Sequence, residues 1–291
     1  MTHAGDLSVD RQSNARESED AGDRAWYLYG IVRAPHSSGG GETELADSLP
    51  SLTAAGISVS LLPVGDLAAV VRPVRRSDFT EEALQTRLRD PATLEEMVRA
   101  HNEVITAIHE QRSILPAKLG GVYEHLDDLE EALEDSRGSL RAQLDRIEGC
   151  DEWAVHIYAE RAAVERDVAT SQPTLRRLQD ELSTASPGRA YFLQRKVAND
   201  LAAATAQALD EVAQSAFELL RAQAVDGHAS PAARSADTVE GEIEVLRAAF
   251  LVARAETERF TAAAESLNGS RPGVRCEYSG PWPPYSFAAE E

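Results

Sequence analysis

Ser279-Gly280-Pro281-Trp282-Pro283-Pro284-Tyr285-Ser286-Phe287 combines three prolines with three aromatic residues, and it constrains the fold more than any other stretch. Because each proline fixes φ and lacks a backbone donor, the stretch fits neither a helix nor a central strand. Pro283-Pro284 predicts polyproline II. Each aromatic ring offers roughly 150–250 Å² for burial, so leaving all three in water is unfavourable. We therefore expect a rigid segment that folds back into a groove, where the rings either cap the core or form part of a partner surface.

The composition favours two domains and excludes two classes of partner. The chain has 291 residues, 43% of them apolar, and a formal net charge of −20. Such a length has room for two domains of ordinary size. The negative charge argues against nucleic acid, whose phosphates need basic groups, and against anionic membrane surfaces.

The sequence also predicts a cytoplasmic protein without a membrane segment. Residues 1–24 lack the apolar run of a signal peptide, and no run approaches the roughly 20 apolar residues of a membrane helix. Cys150 and Cys276 lie far apart in sequence, which argues against a disulfide framework and fits a reducing cytosol. Residues 1–24 are polar and lack periodicity, which predicts a disordered acidic tail.

The first half of the chain predicts an α+β domain over residues 25–124. Residues 26–32 are apolar on both faces, which indicates a central strand. A hairpin follows at residues 57–74, then two amphipathic helices, then a bent or edge strand at residues 114–123. This order is close to a ferredoxin-like unit whose first crossover helix is weak or replaced. A helix at residues 125–150 is predicted to connect the domains.

The second half predicts another ferredoxin-like α+β domain, over residues 151–291, with a helical insertion. Residues 153–158 alternate as a strand, and helical segments at residues 161–184 are interrupted at Pro173. A long helix from residue 189 to 225 would form an αα-hairpin with the preceding segment, and residues 226–241 are predicted to be a loop. Strand, helix and strand follow at residues 243–279, before the proline-rich tail.

No motif in the sequence predicts catalysis, a metal site or a cofactor. His101 and His109 are eight residues apart, whereas a zinc-binding H-E-x-x-H helix needs a spacing of four. The chain has no G-x-S-x-G nucleophile motif, and the Gly39-Gly40-Gly41 triplet is not followed by a phosphate-loop pattern. Cys276 alternates with charged residues on a strand, which predicts a small core side chain rather than a nucleophile. We therefore expect no enzyme activity.

Four stretches, together with the ending, resemble the accessory gas vesicle proteins of the F and L type. They are Trp-Tyr-Leu-Tyr-Gly-Ile-Val at 26–32, the block at 101–123, Glu-Trp-Ala-Val-His-Ile-Tyr at 152–158, Pro-Gly-Arg-Ala-Tyr-Phe-Leu at 187–193, and Gly-Pro-Trp-Pro-Pro-Tyr-Ser-Phe at 280–287. The likeness runs from about residue 24 to 288. It departs at Lys118 and Leu119, where the family usually has arginine and phenylalanine, and at His156, where lysine is common.

The resemblance implies a non-enzymatic accessory protein of gas vesicle formation that needs no cofactor. Such a protein would bind the small, hydrophobic major shell protein, with other gas vesicle accessory proteins as further candidate partners. It would help the shell protein assemble, as a minor or transient component in the cytoplasm and at the vesicle. A soluble acidic protein can hold an aggregation-prone partner through a sheet edge or a groove.

The candidate partner surface consists of the tail motif and two further tryptophans. Its members are Gly280, Pro281, Trp282, Pro283, Pro284, Tyr285, Phe287, Trp153 and Trp26. The alternative for each tryptophan is a place in the core. The rival class of function is a ferredoxin-like regulatory module that binds a small molecule, because fold alone does not decide function.

Overall fold

The computed structural model describes residues 23–34, 51–230 and 241–288, which form a mixed α+β structure and confirm the predicted fold class. The chain divides into two compact units, one of residues 1–148 and 283–291, the other of residues 149–282. The predicted N-terminal tail lies outside the described residues up to residue 22, and so does the glycine triplet at 39–41.

The first unit is built on an antiparallel sheet in the order β2-β3-β4-β1-β5, with β6 also paired to β1. The strands are β1 (Arg24–Arg33), β2 (Ser51–Ala54), β3 (Ile57–Val64), β4 (Leu67–Arg75), β5 (Ile114–Pro116) and β6 (Val122–Tyr123). The predicted central strand is confirmed, since β1 is buried and pairs on both edges. Gly30 permits the pairing with β5, because a Cβ there would lie 2.4 Å from the Leu115 carbonyl oxygen.

The order β5-β1-β4-β3 within this sheet is that of a ferredoxin-like unit. The predicted hairpin at residues 57–74 is confirmed as β3 and β4, joined at Gly65, which has φ +61°. β2 is an added edge strand. The first crossover of a ferredoxin-like unit falls between β1 and β3, and residues 35–50 of that connection lie outside the described part of the chain.

Three α-helices of the first unit form where the sequence predicts helices, but one of them packs elsewhere than predicted. They are α1 (Glu81–Arg89), α2 (Pro91–His109) and α3 (Leu126–Ile147). Thr80 caps α1 by accepting from the Ala83 amide at 3.3 Å, and Asp90 caps α2 by accepting from the Thr93 amide at 3.1 Å. α3, predicted as a connector, instead packs on β1, β3 and β5 within the first unit.

The second unit has an antiparallel sheet in the order β10-β7-β9-β8, the full strand order of a ferredoxin-like fold. Its strands are β7 (Cys150–Glu160), β8 (Asp226–Ser230), β9 (Glu242–Ala253) and β10 (Val274–Trp282). Trp153, Val155 and Ile157 of β7 point to one side and enter the core, as their alternation predicts. α7 (Thr257–Ser266) connects β9 to β10 and covers the same core with Phe260 and Ala264.

The helical insertion is the crossover from β7 to β8. It consists of α4 (Arg161–Ser171), α5 (Pro173–Ser183) and α6 (Pro187–Arg221), and both α4 and α5 pack against α6. The break at Pro173 is where the sequence predicts it, since proline occupies the first position of α5. α6 ends at Arg221, four residues before the predicted end.

The prediction of a loop over residues 226–241 was wrong for its first five residues, which form β8. Asp-Gly-His-Ala-Ser has no strand propensity, yet its backbone pairs with β9, with Gly227 opposite Phe250. A Cβ on Gly227 would lie 2.6 Å from Cδ1 of Phe250. The glycine that suggests a loop is thus the residue that lets β8 approach a core phenylalanine.

Candidate functional site

The first part of the tail motif belongs to the edge strand β10. Trp282 pairs with Glu152 of β7 after a register shift that begins at Ser279, and its side chain is exposed. The Trp282 indole N–H donates to the Ser279 hydroxyl at 3.3 Å. The prediction that this stretch avoids a central strand is confirmed, because β10 lies at the edge of its sheet, but the prediction that it forms no helix was wrong for Tyr285–Phe287, which form a single 3₁₀ turn.

Gly280 lies directly against the core of the second unit. It has φ +153°, and a Cβ there would lie 2.8 Å from Cδ2 of Trp153 and 2.9 Å from the Glu152 carbonyl oxygen. Trp153 is itself 6% exposed, and its ring centroid lies 6.0 Å from those of Phe260 and Tyr278. The motif glycine therefore serves close packing on Trp153.

The second part of the tail motif belongs to the first unit. Pro283 and Pro284 are buried, and Phe287 is 4% exposed, with the Arg146 guanidinium 5.9 Å from its ring centroid. The Tyr285 hydroxyl donates to Oδ1 of Asn102 at 2.9 Å. From Pro283 onward the motif caps the core of the first unit.

The prediction of polyproline II at Pro283-Pro284 was wrong at Pro284. Its φ is −78° and its ψ is 62°, and the Tyr285 amide donates to the Pro283 carbonyl at 2.8 Å. These are the features of an inverse γ-turn. A turn replaces the extended form because Phe287 has to reverse into the core within three residues.

The remaining two candidate residues are core residues. Trp26 is 8% exposed in β1 of the first unit, and Trp153 is buried in β7 of the second. Among the aromatic members of the candidate surface, only Trp282 presents much of its ring to solvent, with 48% of its area exposed.

The structure contains a second exposed aromatic site, which the sequence analysis did not predict. Tyr191 and Phe192 are 58% and 73% exposed, and their rings meet edge to face with centroids 5.7 Å apart. We call these two residues the aromatic pair. They lie near the start of α6, where no residue from 187 to 204 is buried. One sequence feature could have indicated their exposure: Tyr191 and Phe192 lie off the apolar stripe of the helix that contains Leu193 and Val197.

Basic side chains flank the aromatic pair. Arg195 lies four residues after Tyr191 and Lys196 four residues after Phe192, so each shares a helix face with one ring. Arg189 and Lys196 are within 3.4 Å of the carboxylates of Glu181 and Asp200, respectively. The N-terminal part of α6 therefore presents two exposed aromatic rings next to charged side chains.

His101 is part of a buried hydrogen-bond network rather than a metal site. Its Nδ1 accepts from the Tyr27 hydroxyl at 2.8 Å, and its Nε2 donates to the Ala117 carbonyl at 3.2 Å. The Gly120 amide donates to the Tyr27 hydroxyl at 3.2 Å. These roles require a neutral imidazole. Within residues 23–34, 51–230 and 241–288, no three histidine, cysteine, aspartate or glutamate side chains are grouped to hold a metal ion.

We expect the free energy of unfolding to fall as the pH drops below about 6.5, in part because of His101. Burial, opposed by the hydrogen bond to Ala117, lowers the pKa of His101 in the folded state. The unfolded chain then binds the proton at a higher pH than the folded chain, so stability present above pH ~6.5 is lost below it. Urea unfolding at about pH 7 and about pH 5.5 measures this loss.

The control for this prediction is His101→Asn, whose amide oxygen can still accept from Tyr27. It lacks a group that titrates in this range, so its stability should vary less with pH than that of the unchanged chain. Equal pH dependence in the two proteins would contradict the assignment.

Both cysteines are buried thiols. Cys150 is 4% exposed and Cys276 is 7% exposed. Burial raises the pKa of Cys276 to about 11 and also raises the pKa of Cys150. Since the thiolate is the nucleophile, both side chains are poorly suited to covalent chemistry near neutral pH.

Comparison with known proteins identifies the family of this chain. A sequence model described as "Gas vesicle synthesis protein GvpL/GvpF" matches residues 25–289. Gas vesicle protein L of Streptomyces sp. (strain CB03234) is 35% identical over 235 residues, which cover 79% of this chain and 84% of the relative. Gas vesicle protein L2 of Halobacterium salinarum is 23% identical over 287 residues, or 96% of this chain and 95% of the relative.

Solved structures share the fold. The crystal structure of the gas vesicle protein GvpF from Anabaena sp. PCC7120 superimposes with a TM-score of 0.62 at 18% identity, covering 92% of this chain and 99% of that one. GvpF from Microcystis aeruginosa gives 0.59 at 17% identity, with 91% and 99% covered. Among the described residues, no helix has both the length and the apolar character that a membrane crossing requires. These matches confirm the resemblance, and the chain belongs to the gas vesicle synthesis protein GvpL/GvpF family.

Proposed function

We propose that this protein is a non-catalytic accessory factor that binds the small hydrophobic shell protein and assists gas vesicle assembly as a minor or transient component. The main observation behind the proposal is the aromatic pair. Tyr191 and Phe192 are exposed to solvent on α6, in a chain that belongs to a gas vesicle family. Aromatic side chains dominate the energetics of interfaces, and large exposed rings are unfavourable unless a partner covers them. An apolar shell protein is such a partner.

The structure around the pair favours capture of an apolar segment. The pair lies on the part of α6 that contributes no buried residue to its own unit, so a partner gains contact without displacing core side chains. The flanking arginines and lysine offer long aliphatic stems for packing and charged ends that remain in water. The net charge of −20 on the whole chain keeps the complex soluble.

Trp282 is proposed as a second contact for the shell protein. It stands at the end of the edge strand β10, so a bound segment can place apolar side chains on the exposed ring beside a strand edge. The other members of the predicted surface take part indirectly, since Gly280 and Trp153 fix the strand that carries Trp282. Trp26, Pro283, Pro284, Tyr285 and Phe287 stabilise the first unit, and Pro281 belongs to the strand β10 that carries Trp282.

The wider setting follows from the same proposal. The protein acts in the cytoplasm and at the vesicle, with other gas vesicle accessory proteins as further candidate partners. Nucleic acid and membrane surfaces are not among its partners, because its charge opposes both. It uses no cofactor.

The test is co-expression with the small shell protein from the same gene cluster, followed by affinity capture of this chain. We expect the double variant Tyr191→Ser with Phe192→Ser to retain about a tenth or less of the captured shell protein, since an aromatic residue that acts as an interface hot spot contributes about 2 kcal/mol or more. Trp282→Ser, tested separately, should lower capture less. Circular dichroism verifies that each variant is folded.

The matched control is Gln194→Ser with Asn199→Ser, two exposed polar residues on the same part of α6. This variant should capture shell protein like the unchanged chain. Full capture by the aromatic double variant and by Trp282→Ser would refute both contacts. No capture by the unchanged chain would refute shell-protein binding itself.

The rival hypothesis, a small-molecule-binding regulatory module, has one specific observation in its favour. The first unit contains a cavity of about 400 Å³, within the range that small ligands occupy.

A further inference from the structure

The cavity lies between the sheet and the helices of the first unit. Its walls come from β1, β4, the 3₁₀ turn Arg76–Phe79 that follows β4, α1 and α2. Three aromatic rings form one side of it, where the centroid of Tyr27 lies 4.9 Å from that of Tyr29 and 5.6 Å from that of Phe79. The ring planes are inclined by 55° and 62°, so the rings form an uneven apolar wall against which the ring of a small aromatic ligand can pack.

Most polar groups in this cavity are already engaged. The Tyr27 hydroxyl bonds to His101 and to the Gly120 amide, and both nitrogens of His101 have partners. Arg87 donates to the Asp78 carbonyl at 3.4 Å and lies over Phe79, with 5.8 Å from its guanidinium carbon to the ring centroid. These groups shape the cavity and are at least partly satisfied by the protein itself.

Arg72 differs from these groups. Its Nε is sequestered from solvent and has no hydrogen-bond partner among the described residues, although Arg72 lines the cavity. Its guanidinium carbon lies 6.0 Å from the centroid of Tyr29. Because this N–H has no accessible surface, a ligand in the cavity would contact the guanidinium through its terminal NH₂ groups, to which an anionic group can form charge-assisted hydrogen bonds.

The charge of the lining points the same way. Three arginines, Arg72, Arg75 and Arg87, face two carboxylates, Asp78 and Glu96. With a neutral His101 the lining is net positive in a chain whose formal net charge is −20. Local positive charge of this kind draws small anions from solution.

We propose that this cavity binds a small planar organic anion, with its ring against Tyr27, Tyr29 and Phe79 and its charged group on Arg72. The site is separate from the proposed shell-protein contacts, all of which lie in residues 149–282.

Fluorescence titration with 8-anilinonaphthalene-1-sulfonate tests the proposal, because the dye joins flat rings to a sulfonate. We expect saturable binding to one site per chain, weakened about tenfold or more by Arg72→Met, since a charge-assisted hydrogen bond is lost. Its uncharged analogue N-phenyl-1-naphthylamine should bind more weakly, and Arg72→Met should leave that binding unchanged. Met97→Trp, which enlarges a side chain that lines the cavity, should weaken the binding of both dyes.

Arg259→Met is the matched control, because Arg259 is an exposed arginine of α7 in the second unit. It should bind the sulfonate like the unchanged chain. Arg72→Gln, which also removes the charge but keeps polar groups on the side chain, repeats the test in case Arg72→Met fails to fold. The proposal is overturned if no saturable site exists, or if the folded Arg72 variants bind as tightly as Arg259→Met. Shell-protein capture, measured in parallel, should be the same for Arg72→Met and the unchanged chain.

Discussion

Replacing Phe250 with alanine is expected to lower the free energy of unfolding of the second unit by about 3–5 kcal/mol. Phe250 is fully buried at the centre of the sheet, with its ring centroid 5.4 Å from that of Phe217 and 5.5 Å from that of Phe260. Its removal leaves a cavity that the neighbouring rings cannot fill. Urea denaturation followed by circular dichroism measures the loss.

Phe192→Ala is the matched control for this substitution. It removes the same side chain from a site that is 73% exposed, so its effect on unfolding should stay within about 0.5 kcal/mol. Equal losses in the two variants would show that Phe192 packs against its own chain, which would remove the basis for a contact with the shell protein.

The second large effect is expected at Phe287. Its replacement by alanine should lower the stability of the first unit by about 3 kcal/mol, because the ring is buried near Arg146. Trp282→Ala, five residues earlier, removes an exposed ring and should have a much smaller effect on stability. The tail motif thus contains Phe287, which stabilises the fold, and Trp282, whose exposed ring is available to a partner.

Amide hydrogen exchange separates these effects by unit. Phe287→Ala should lower the protection of β1 amides in the first unit, and Phe250→Ala should lower the protection of β7 amides in the second. Unchanged β1 protection in Phe287→Ala would mean that the tail is not part of the first core.

The sequence predicts the strands and helices well where one physical signal dominates. The apolar run at residues 26–32 gave the central strand β1, and the alternation around Trp153 gave β7 with its correct inward face. Pro173 marked the start of α5. In these cases burial and backbone chemistry agree, so local pattern and tertiary structure lead to the same answer.

The remaining errors arise where tertiary contacts override local preference. β8 has a loop-like sequence and is a strand because β9 supplies its partners and Gly227 admits Phe250. Pro284 adopts a turn because Phe287 is buried close by. For the candidate surface, composition gave no means to tell the exposed Trp282 from the buried Trp26 and Trp153, since exposure depends on neighbours far away in sequence.

The division of the chain into units has a consequence for its synthesis. The core of the first unit contains Phe287 besides residues before 149, so it is incomplete until residue 287 has been added. At 5–20 residues per second, the ribosome needs roughly 7–28 s to advance from residue 148 to Phe287. The second unit, which is continuous in sequence, is complete before the first. The unit whose synthesis begins first is therefore the last to complete its core. A chain released from the ribosome before residue 287 has a first unit that lacks Phe287.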